Sequence, residues 1–119
     1  MKSILIIDDS TYMRGYIKKV ITKYGYKVVG EASGGADGIE MYKALRPDIV
    51  TLDITMDGMN GVETLKEIMS FDENASVIMV SAMGQSSLVA ESIIAGAKNF
   101  LVKPFKEENM IKAFEKIGK

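Results

Sequence analysis

The feature that most constrains the fold is a set of four short apolar runs, each of which ends at polar residues. One run covers residues 48–53 and ends at Asp53. A short run of this kind predicts a strand buried on both faces, as in parallel sheets. The other three runs end at the following residues: Asp8 and Asp9, Ser81, and Lys103 with Pro104. Because open α/β sheets bind ligands at the carboxyl ends of their strands, the sequence predicts one site at one sheet edge.

Length and composition restrict the class of protein. The 119 residues predict a single domain over 1–119. The net charge of −1 provides no basic surface for nucleic acid, and the absence of Cys and His excludes disulfides and imidazole bases. No apolar run approaches the ~20 residues that span a bilayer. We therefore expect a soluble, cytoplasmic monomer that binds neither nucleic acid nor membrane.

Strand-like runs alternate with amphipathic helical patterns along the whole chain. The predicted strands cover residues 3–7, 26–29, 48–53, 77–80 and 100–102. Apolar residues at helical spacing from Met13 onward predict the first helix, which Gly25 ends. Its N-cap is either Asp9 or Ser10, and Gly96 is expected to cap the fourth helix. The alternation predicts a parallel sheet with right-handed crossovers.

Three carboxylates are expected to meet at the predicted edge. If the first and third strands are neighbours, about 4.8 Å apart, then Asp8, Asp9 and Asp53 lie close together. Two carboxylates about 4 Å apart repel by about 4 kcal/mol at an effective dielectric constant of 20, so a cation is needed. Hard oxygen ligands suit Mg²⁺, and Lys103 can neutralise part of the charge. A metal beside a carboxylate nucleophile favours phosphoryl transfer.

Each of these residues also has a purely structural interpretation when it is taken alone. Adjacent acids after a strand, such as Asp8 and Asp9, often form only a turn and a cap. Asp53 could be a surface group, Ser81 could be structural, and Pro104 could simply end a strand. Capping does not require polar groups on four different strand ends, however, so their joint placement favours a site.

Jointly, these residues resemble the site of response-regulator receiver domains, and the resemblance covers essentially the whole chain. It rests on Asp8 and Asp9, on Asp53, on Ser81 and on the Lys-Pro-Phe sequence of residues 103–105. The stretch 81–85 is most similar to the single-domain chemotaxis response regulators. The resemblance implies a flavodoxin-like (βα)5 fold, which is a doubly wound parallel five-stranded sheet with strand order 2-1-3-4-5.

The resemblance also implies a role for each residue around the acids. Asp53 would accept a phosphoryl group from a phosphohistidine on a sensor histidine kinase, here a chemotaxis kinase. Asp9 and Asp53 would ligate Mg²⁺ directly, together with the backbone carbonyl of Thr55. Asp8 would complete the metal site mainly through a metal-bound water.

The remaining implied roles concern phosphoryl binding and switching. Ser81 would donate a hydrogen bond to the phosphoryl group, and Lys103 would pair with it. The peptide bond before Pro104 would be cis. Phe100 would turn inward as Ser81 moves, changing the face built from the fourth helix, the fifth strand and the fifth helix. Without the resemblance, Phe100 would be interpreted as ordinary packing.

The chain departs from the family pattern at three positions. Asp57 stands where many receivers have Pro, and its charge could weaken phosphate retention or bind a second cation. Phe100 replaces the commoner Tyr, so it lacks a hydroxyl donor. Ser81 replaces the commoner Thr, which keeps the hydroxyl and removes a methyl group.

The predicted function is a phosphorylation-activated chemotaxis switch that binds a flagellar switch protein or another output protein. A phosphorelay intermediate and a phosphate sink outside chemotaxis remain alternatives. A dehalogenase-like phosphohydrolase is less favoured, because such enzymes need a second Asp as general acid two residues after the nucleophile, and that position is Thr55 here. We therefore expect no enzyme activity beyond assistance to the domain's own phosphorylation and dephosphorylation. No phosphate-binding G-x-x-x-x-G-K-[ST] motif supports a nucleotide or flavin binder, and the complete set of site residues argues against a receiver that has lost phosphorylation.

Overall fold

The computed structural model describes residues 2–56 and 58–117, and this part of the chain alternates strands with helices throughout. The strands are β1 (Ser3–Ile7), β2 (Lys27–Ala32), β3 (Ile49–Asp53), β4 (Val77–Ser81) and β5 (Asn99–Val102). The helices are α1 (Thr11–Lys23), α2 (Gly35–Leu45), α3 (Gly61–Phe71), α4 (Ser86–Ala95) and α5 (Glu107–Ile117).

The strands form one parallel sheet in the order β2-β1-β3-β4-β5. This order confirms the flavodoxin-like fold that the resemblance to receiver domains implied. Within residues 2–56 and 58–117, none of the helices has the length and apolar character needed to cross a bilayer.

The sheet separates two layers of core. On one face, Leu5 and Ile7 of β1 pack with residues of α2 and α3, including Tyr42 and Leu65. On the other face, strand residues pack with α1 and α5 in a cluster that includes Ile4, Ile6, Ile17, Val20 and Phe114. Because both faces are covered, successive residues of the central strands are all buried, which explains the apolar runs in the sequence.

Helix ends agree with the sequence prediction and resolve one alternative. Ser10, and not Asp9, is the N-cap of α1, because its hydroxyl accepts a hydrogen bond from the backbone N–H of Met13 at 3.1 Å. Gly25 follows the C-cap of α1 with a φ of 91°, and Gly96 caps α4 with a φ of 120°. Both glycines adopt the left-handed conformation that ends helices.

The second strand extends further than the predicted 26–29. It continues through Gly30 and Glu31 to Ala32, because Leu5 and Ile6 of β1 pair with the first two of these residues after a register shift. Gly30 also packs closely, since an added Cβ would lie 2.9 Å from a methyl carbon of Leu45. Pairing with a buried neighbour thus overrides the weak strand propensity of glycine.

The register of the central strands places the polar strand ends together. Ile7 pairs with Leu52 on the neighbouring strand. Asp8 and Asp53 are the next residues of these two strands, so they lie at the same edge of the sheet. Gly61 brings α3 against this edge, because its N–H donates to the carbonyl oxygen of Ile54 at 2.7 Å. An added Cβ at Gly61 would lie 2.2 Å from the carbonyl oxygen of Asp53, so only glycine fits there.

Candidate functional site

The three predicted acids converge at the carboxyl edge of the sheet. Asp8, Asp9 and Asp53 each place a carboxylate oxygen within 4.8 Å of the others. Asp8 is 1% exposed and Asp53 is 5% exposed, whereas Asp9 is open to solvent. The arrangement therefore combines two buried carboxylates with one that faces water.

Lys103 supplies a positive charge to the two buried acids. Its Nζ lies 3.5 Å from Oδ2 of Asp8 and 3.7 Å from Oδ1 of Asp53. The loop that carries Lys103 is held to β4, because its backbone N–H donates to the carbonyl oxygen of Ser81 at 2.7 Å. The next peptide bond, between Lys103 and Pro104, is cis as expected. One ammonium group thus faces two carboxylates.

The hydrogen bonds of the acids leave one buried oxygen without a partner. Asp8 accepts a bond from the backbone N–H of Ser10 at 2.9 Å through Oδ1, but its buried Oδ2 has no hydrogen-bond partner. Asp53 accepts a weaker bond from the backbone N–H of Thr55 at 3.3 Å. Buried polar atoms are normally hydrogen-bonded, so this oxygen of Asp8, which faces only the ammonium group of Lys103 at 3.5 Å, indicates a ligand position.

Electrostatics at the edge disfavour the ionised form of Asp53. Burial, followed by the neighbouring charge of Asp8, raises the pKa of Asp53 to about 6, although the ammonium group of Lys103 opposes the rise. Acids with raised pKa values in a cluster of like charge are typical of functional sites. Three carboxylates face one ammonium group, so a further cation would balance the negative charge of the site.

The donor set fits a hard divalent cation. Asp8, Asp9 and Asp53 offer carboxylate oxygens at mutual distances that one ion can bridge, and one buried oxygen of Asp8 has no hydrogen-bond partner. Oxygen-only sites with few carboxylates suit Mg²⁺, which keeps several waters and completes its shell with phosphate oxygens. Thr55 lies on the loop beside Asp53, and its predicted carbonyl ligation stays a prediction.

Ser81 and Phe100 lie on neighbouring strands beside the acids. Ser81 is buried at the end of β4, and its hydroxyl donates to the carbonyl oxygen of Leu101 at 3.4 Å. Phe100 precedes Leu101 on β5 and is 42% exposed. In this arrangement Ser81 is bonded toward β5, and Phe100 faces outward. Asp57 lies outside the described residues.

Two residues near the site were not found from the sequence. Arg14 donates to the backbone carbonyl oxygen of Asp8 at 2.6 Å and lies 3.4 Å from Glu31. Its position four residues after the N-cap Ser10 is a signal that could have placed it near the strand end. Gln85 bonds to the loops that follow β3 and β4. Its loop position offers no periodic signal, so the sequence could not reveal these contacts.

Residues 4–115 match the family model described as the response regulator receiver domain. The chain belongs to that family. Two related proteins, both chemotaxis protein CheY, cover nearly the whole receiver domain. The Thermotoga maritima protein is 52% identical over 99% of this chain and 98% of its own length. The Bacillus subtilis protein is 50% identical over 95% of this chain and 94% of its own length.

A solved structure supports the same relationship. The CheX-CheY-BeF3-Mg+2 complex from Borrelia burgdorferi contains a chain that superposes on this receiver domain with a TM-score of 0.95 at 38% identity. The match covers 99% of this chain and 90% of the other. The receiver domain is thus a two-component signalling domain, and it is closely related to CheY.

Proposed function

We propose that the chain is a phosphorylation-activated chemotaxis switch that takes up a phosphoryl group on Asp53. The observation that supports this most strongly is the convergence of Asp8, Asp9, Asp53 and Lys103 around a buried carboxylate oxygen that has no hydrogen-bond partner. A surface cap needs no such grouping. The domain acts as a signalling module and not as an enzyme that turns over other substrates.

The transfer step is a displacement at phosphorus. An ionised oxygen of Asp53 attacks the phosphorus atom of a phosphohistidine on the kinase, and a P–O bond forms while the P–N bond breaks. The electron pair of the broken bond stays on the imidazole nitrogen of the donor, which remains protonated at its other nitrogen.

The residues around Asp53 stabilise the charge of the transferred group. When bound by Asp8, Asp9, Asp53 and the carbonyl of Thr55, Mg²⁺ would balance negative charge on the phosphoryl oxygens. Lys103 already lies within 4 Å of two carboxylates, and its ammonium group would pair with a phosphoryl oxygen. Burial of Asp53 limits competing water around the acyl phosphate.

Switching follows from the position of Ser81. Its hydroxyl would leave the carbonyl oxygen of Leu101 and donate to the phosphoryl group, and Phe100 would turn inward. Next to Phe100, an apolar groove of about 570 Å³ is lined in part by Met83 and Ile94, which are both exposed. This movement would reshape the face of α4, β5 and α5. Equal partner affinity with and without a phosphoryl mimic would contradict this coupling.

The proposed partners are a chemotaxis histidine kinase as donor and a flagellar switch protein or another output protein as target. A CheX-like protein is a further candidate, since a related structure holds CheX together with CheY. A pull-down with and without the phosphoryl mimic tests these partners. Recovery of only another histidine-containing phosphotransfer protein would instead identify a phosphorelay intermediate. Monomeric state and a cytoplasmic location stay predictions.

The labelling experiment uses acetyl phosphate as the donor. With Mg²⁺ present, the wild type should incorporate up to one phosphoryl group per chain, and Asp53→Asn should incorporate none. Asp48→Asn is a matched control, because Asp48 is an exposed acid at the other end of the sheet, and it should label like the wild type. Undiminished labelling of Asp53→Asn would reject the proposed acceptor.

A further inference from the structure

Gln85 joins the two loops that flank the phosphoryl acceptor. Its amide oxygen accepts a hydrogen bond from the backbone N–H of Ala82 at 2.7 Å, and its amide nitrogen donates to the hydroxyl of Thr55. Gln85 is partly buried, whereas Gly84 and Ser86 on either side of it are exposed. The side chain therefore links the loop after β4 to the loop after β3.

The two groups that Gln85 holds belong to the two loops next to Asp53. The register of β3 and β4 pairs Asp53 with Val80, so Ser81 and Ala82 follow directly on the neighbouring strand and its loop. In the loop after β3, the N–H of Thr55 donates to the carboxylate of Asp53. Backbone N–H groups at the edge of a sheet are suitable donors for an added anion. In this structure the backbone N–H of Ala82 already donates its hydrogen bond to the amide oxygen of Gln85.

The residue that must move, Ser81, is the last residue of β4 and directly precedes the loop after this strand. Ser81 donates to the carbonyl oxygen of Leu101 in this structure, so its hydroxyl is engaged with β5. A turn of Ser81 toward a phosphoryl group shifts the adjoining Ala82, which Gln85 holds. A contact that is made in one of two states favours that state by its own free energy. The contacts of Gln85 are therefore expected to oppose the phosphorylated arrangement.

We propose that Gln85 is a positioning residue that latches the loop between β4 and α4 in the unphosphorylated arrangement. Its amide oxygen accepts the hydrogen bond from the N–H of Ala82 in the unphosphorylated protein, and a phosphoryl oxygen on Asp53 accepts that bond instead after phosphorylation. The latch rests on the proposed function of Asp53. It sets how readily the domain switches, because each phosphorylation event must displace Gln85.

The test compares binding of beryllofluoride, a phosphoryl mimic, to full-length wild type, Gln85→Ala and Gln85→Leu in excess Mg²⁺. Backbone amide NMR of Ala82 and Thr55 follows the titration. Loss of one or two partly exposed hydrogen bonds should tighten mimic binding by about three- to tenfold in both variants. Leu keeps most of the bulk of Gln, so it serves if the Ala variant folds poorly. Ser87→Ala, an exposed change in the first turn of α4, should bind like the wild type.

A second titration separates the latch from a general change in the acid cluster. Mg²⁺ alone should bind Gln85→Leu within about twofold of its wild-type affinity, because neither amide atom of Gln85 bonds to a carboxylate. An equal gain for Mg²⁺ alone would overturn the latch. Unchanged or weaker mimic binding in the folded variants would also overturn it and would leave the role of Asp53 intact. Failure of the wild type to bind the mimic would instead remove the proposed function, and the latch with it.

Discussion

Acidic residues at the two ends of the sheet have opposite surroundings. At the amino end, Asp48 accepts hydrogen bonds from the backbone N–H of Ser3 at 2.7 Å and from its hydroxyl at 3.2 Å. The backbone bond is the main reason that the pKa of Asp48 is lowered. At the carboxyl end, burial and Asp8 raise the pKa of Asp53 to about 6, and one buried oxygen of Asp8 has no hydrogen-bond partner. Satisfied acids stabilise the fold, whereas the unsatisfied acids are poised to bind.

A second acid on the helical layer follows the pattern of the amino end. Asp72, at the end of α3, accepts hydrogen bonds from the hydroxyl of Tyr42 at 2.8 Å and from the backbone N–H of Asn74 at 3.0 Å. These bonds, led by the one from Tyr42, lower the pKa of Asp72. Asp48, Asp53 and Asp72 have the same side chain. The difference in the direction of their pKa shifts therefore comes from the number of hydrogen-bond donors around each carboxylate and from its degree of burial.

The largest expected effect is stabilisation by a cation at the carboxyl end. At a Mg²⁺ concentration of about 100 times its dissociation constant, the wild type should gain about 2.7 kcal/mol in its free energy of unfolding. Asp53→Asn should gain much less at the same concentration, because it lacks one ligand, and Asp48→Asn should gain as much as the wild type. Urea unfolding over a Mg²⁺ series measures these gains. Equal gains in the wild type and Asp53→Asn would break the contrast between the two ends.

Removal of the charge at Asp53 should stabilise the protein when divalent cations are absent. A pKa raised from 3.8 to about 6 means that the ionised Asp53 lowers the free energy of unfolding by about 3 kcal/mol at pH 7.5. Because the surrounding structure relaxes partly around the charge, Asp53→Asn should raise the free energy of unfolding by an amount on the order of 2 kcal/mol. Between about pH 4 and 6 the folded wild type binds more protons at Asp53 than the unfolded chain does. Its stability therefore falls as the pH rises through this window.

A pH series tests whether the ionised form of Asp53 is the cause of this difference in stability. The difference between Asp53→Asn and the wild type should shrink as the pH is lowered toward 4, since Asp53 is then protonated in the folded protein. Urea unfolding in a chelator at pH 4.5, 6 and 7.5 records the trend. A less stable Asp53→Asn at pH 7.5 would show that the charge is satisfied within the fold.

The smallest expected effect has the opposite sign and lies at the amino end. Asp48→Asn should lower the free energy of unfolding by about 1 kcal/mol, because the charged acceptor of two Ser3 donors is replaced by a neutral one. The pKa of Asp48 is lowered in the fold, so its contribution is present above the pKa of the unfolded chain and is lost as the pH falls through the folded value. A more stable Asp48→Asn would remove the contrast between the two ends.

The sequence predicted the sheet and the grouping of the acids because both depend on strand ends. Apolar runs place the strands, and parallel strands bring their carboxyl ends to one edge, so Asp8, Asp9, Asp53 and Lys103 could be assigned to one site. The choice between Asp9 and Ser10 as the N-cap depended on backbone angles that composition does not determine. The structure resolved it for Ser10.

Contacts between loops could not be predicted in the same way. The bonds of Gln85 depend on how two loops approach each other, and no periodic pattern encodes that approach. One missed feature was readable, however. Asn60 and Glu63 form a capping box at the start of α3, and their three-residue spacing before an apolar helix is the known sequence signal. The length of β2 was missed because glycine is a poor indicator of strands, although tertiary pairing retains Gly30.

Phosphorylation of Asp53 at the unsatisfied carboxyl end can be detected by reductive trapping. Borohydride converts an aspartyl phosphate to homoserine, so protein treated with acetyl phosphate and Mg²⁺ can be reduced, digested and sequenced by mass spectrometry. We expect homoserine at position 53 alone, with none when Mg²⁺ is removed by a chelator. Homoserine at position 8 or 9, or at position 53 to the same extent without the metal, would contradict it.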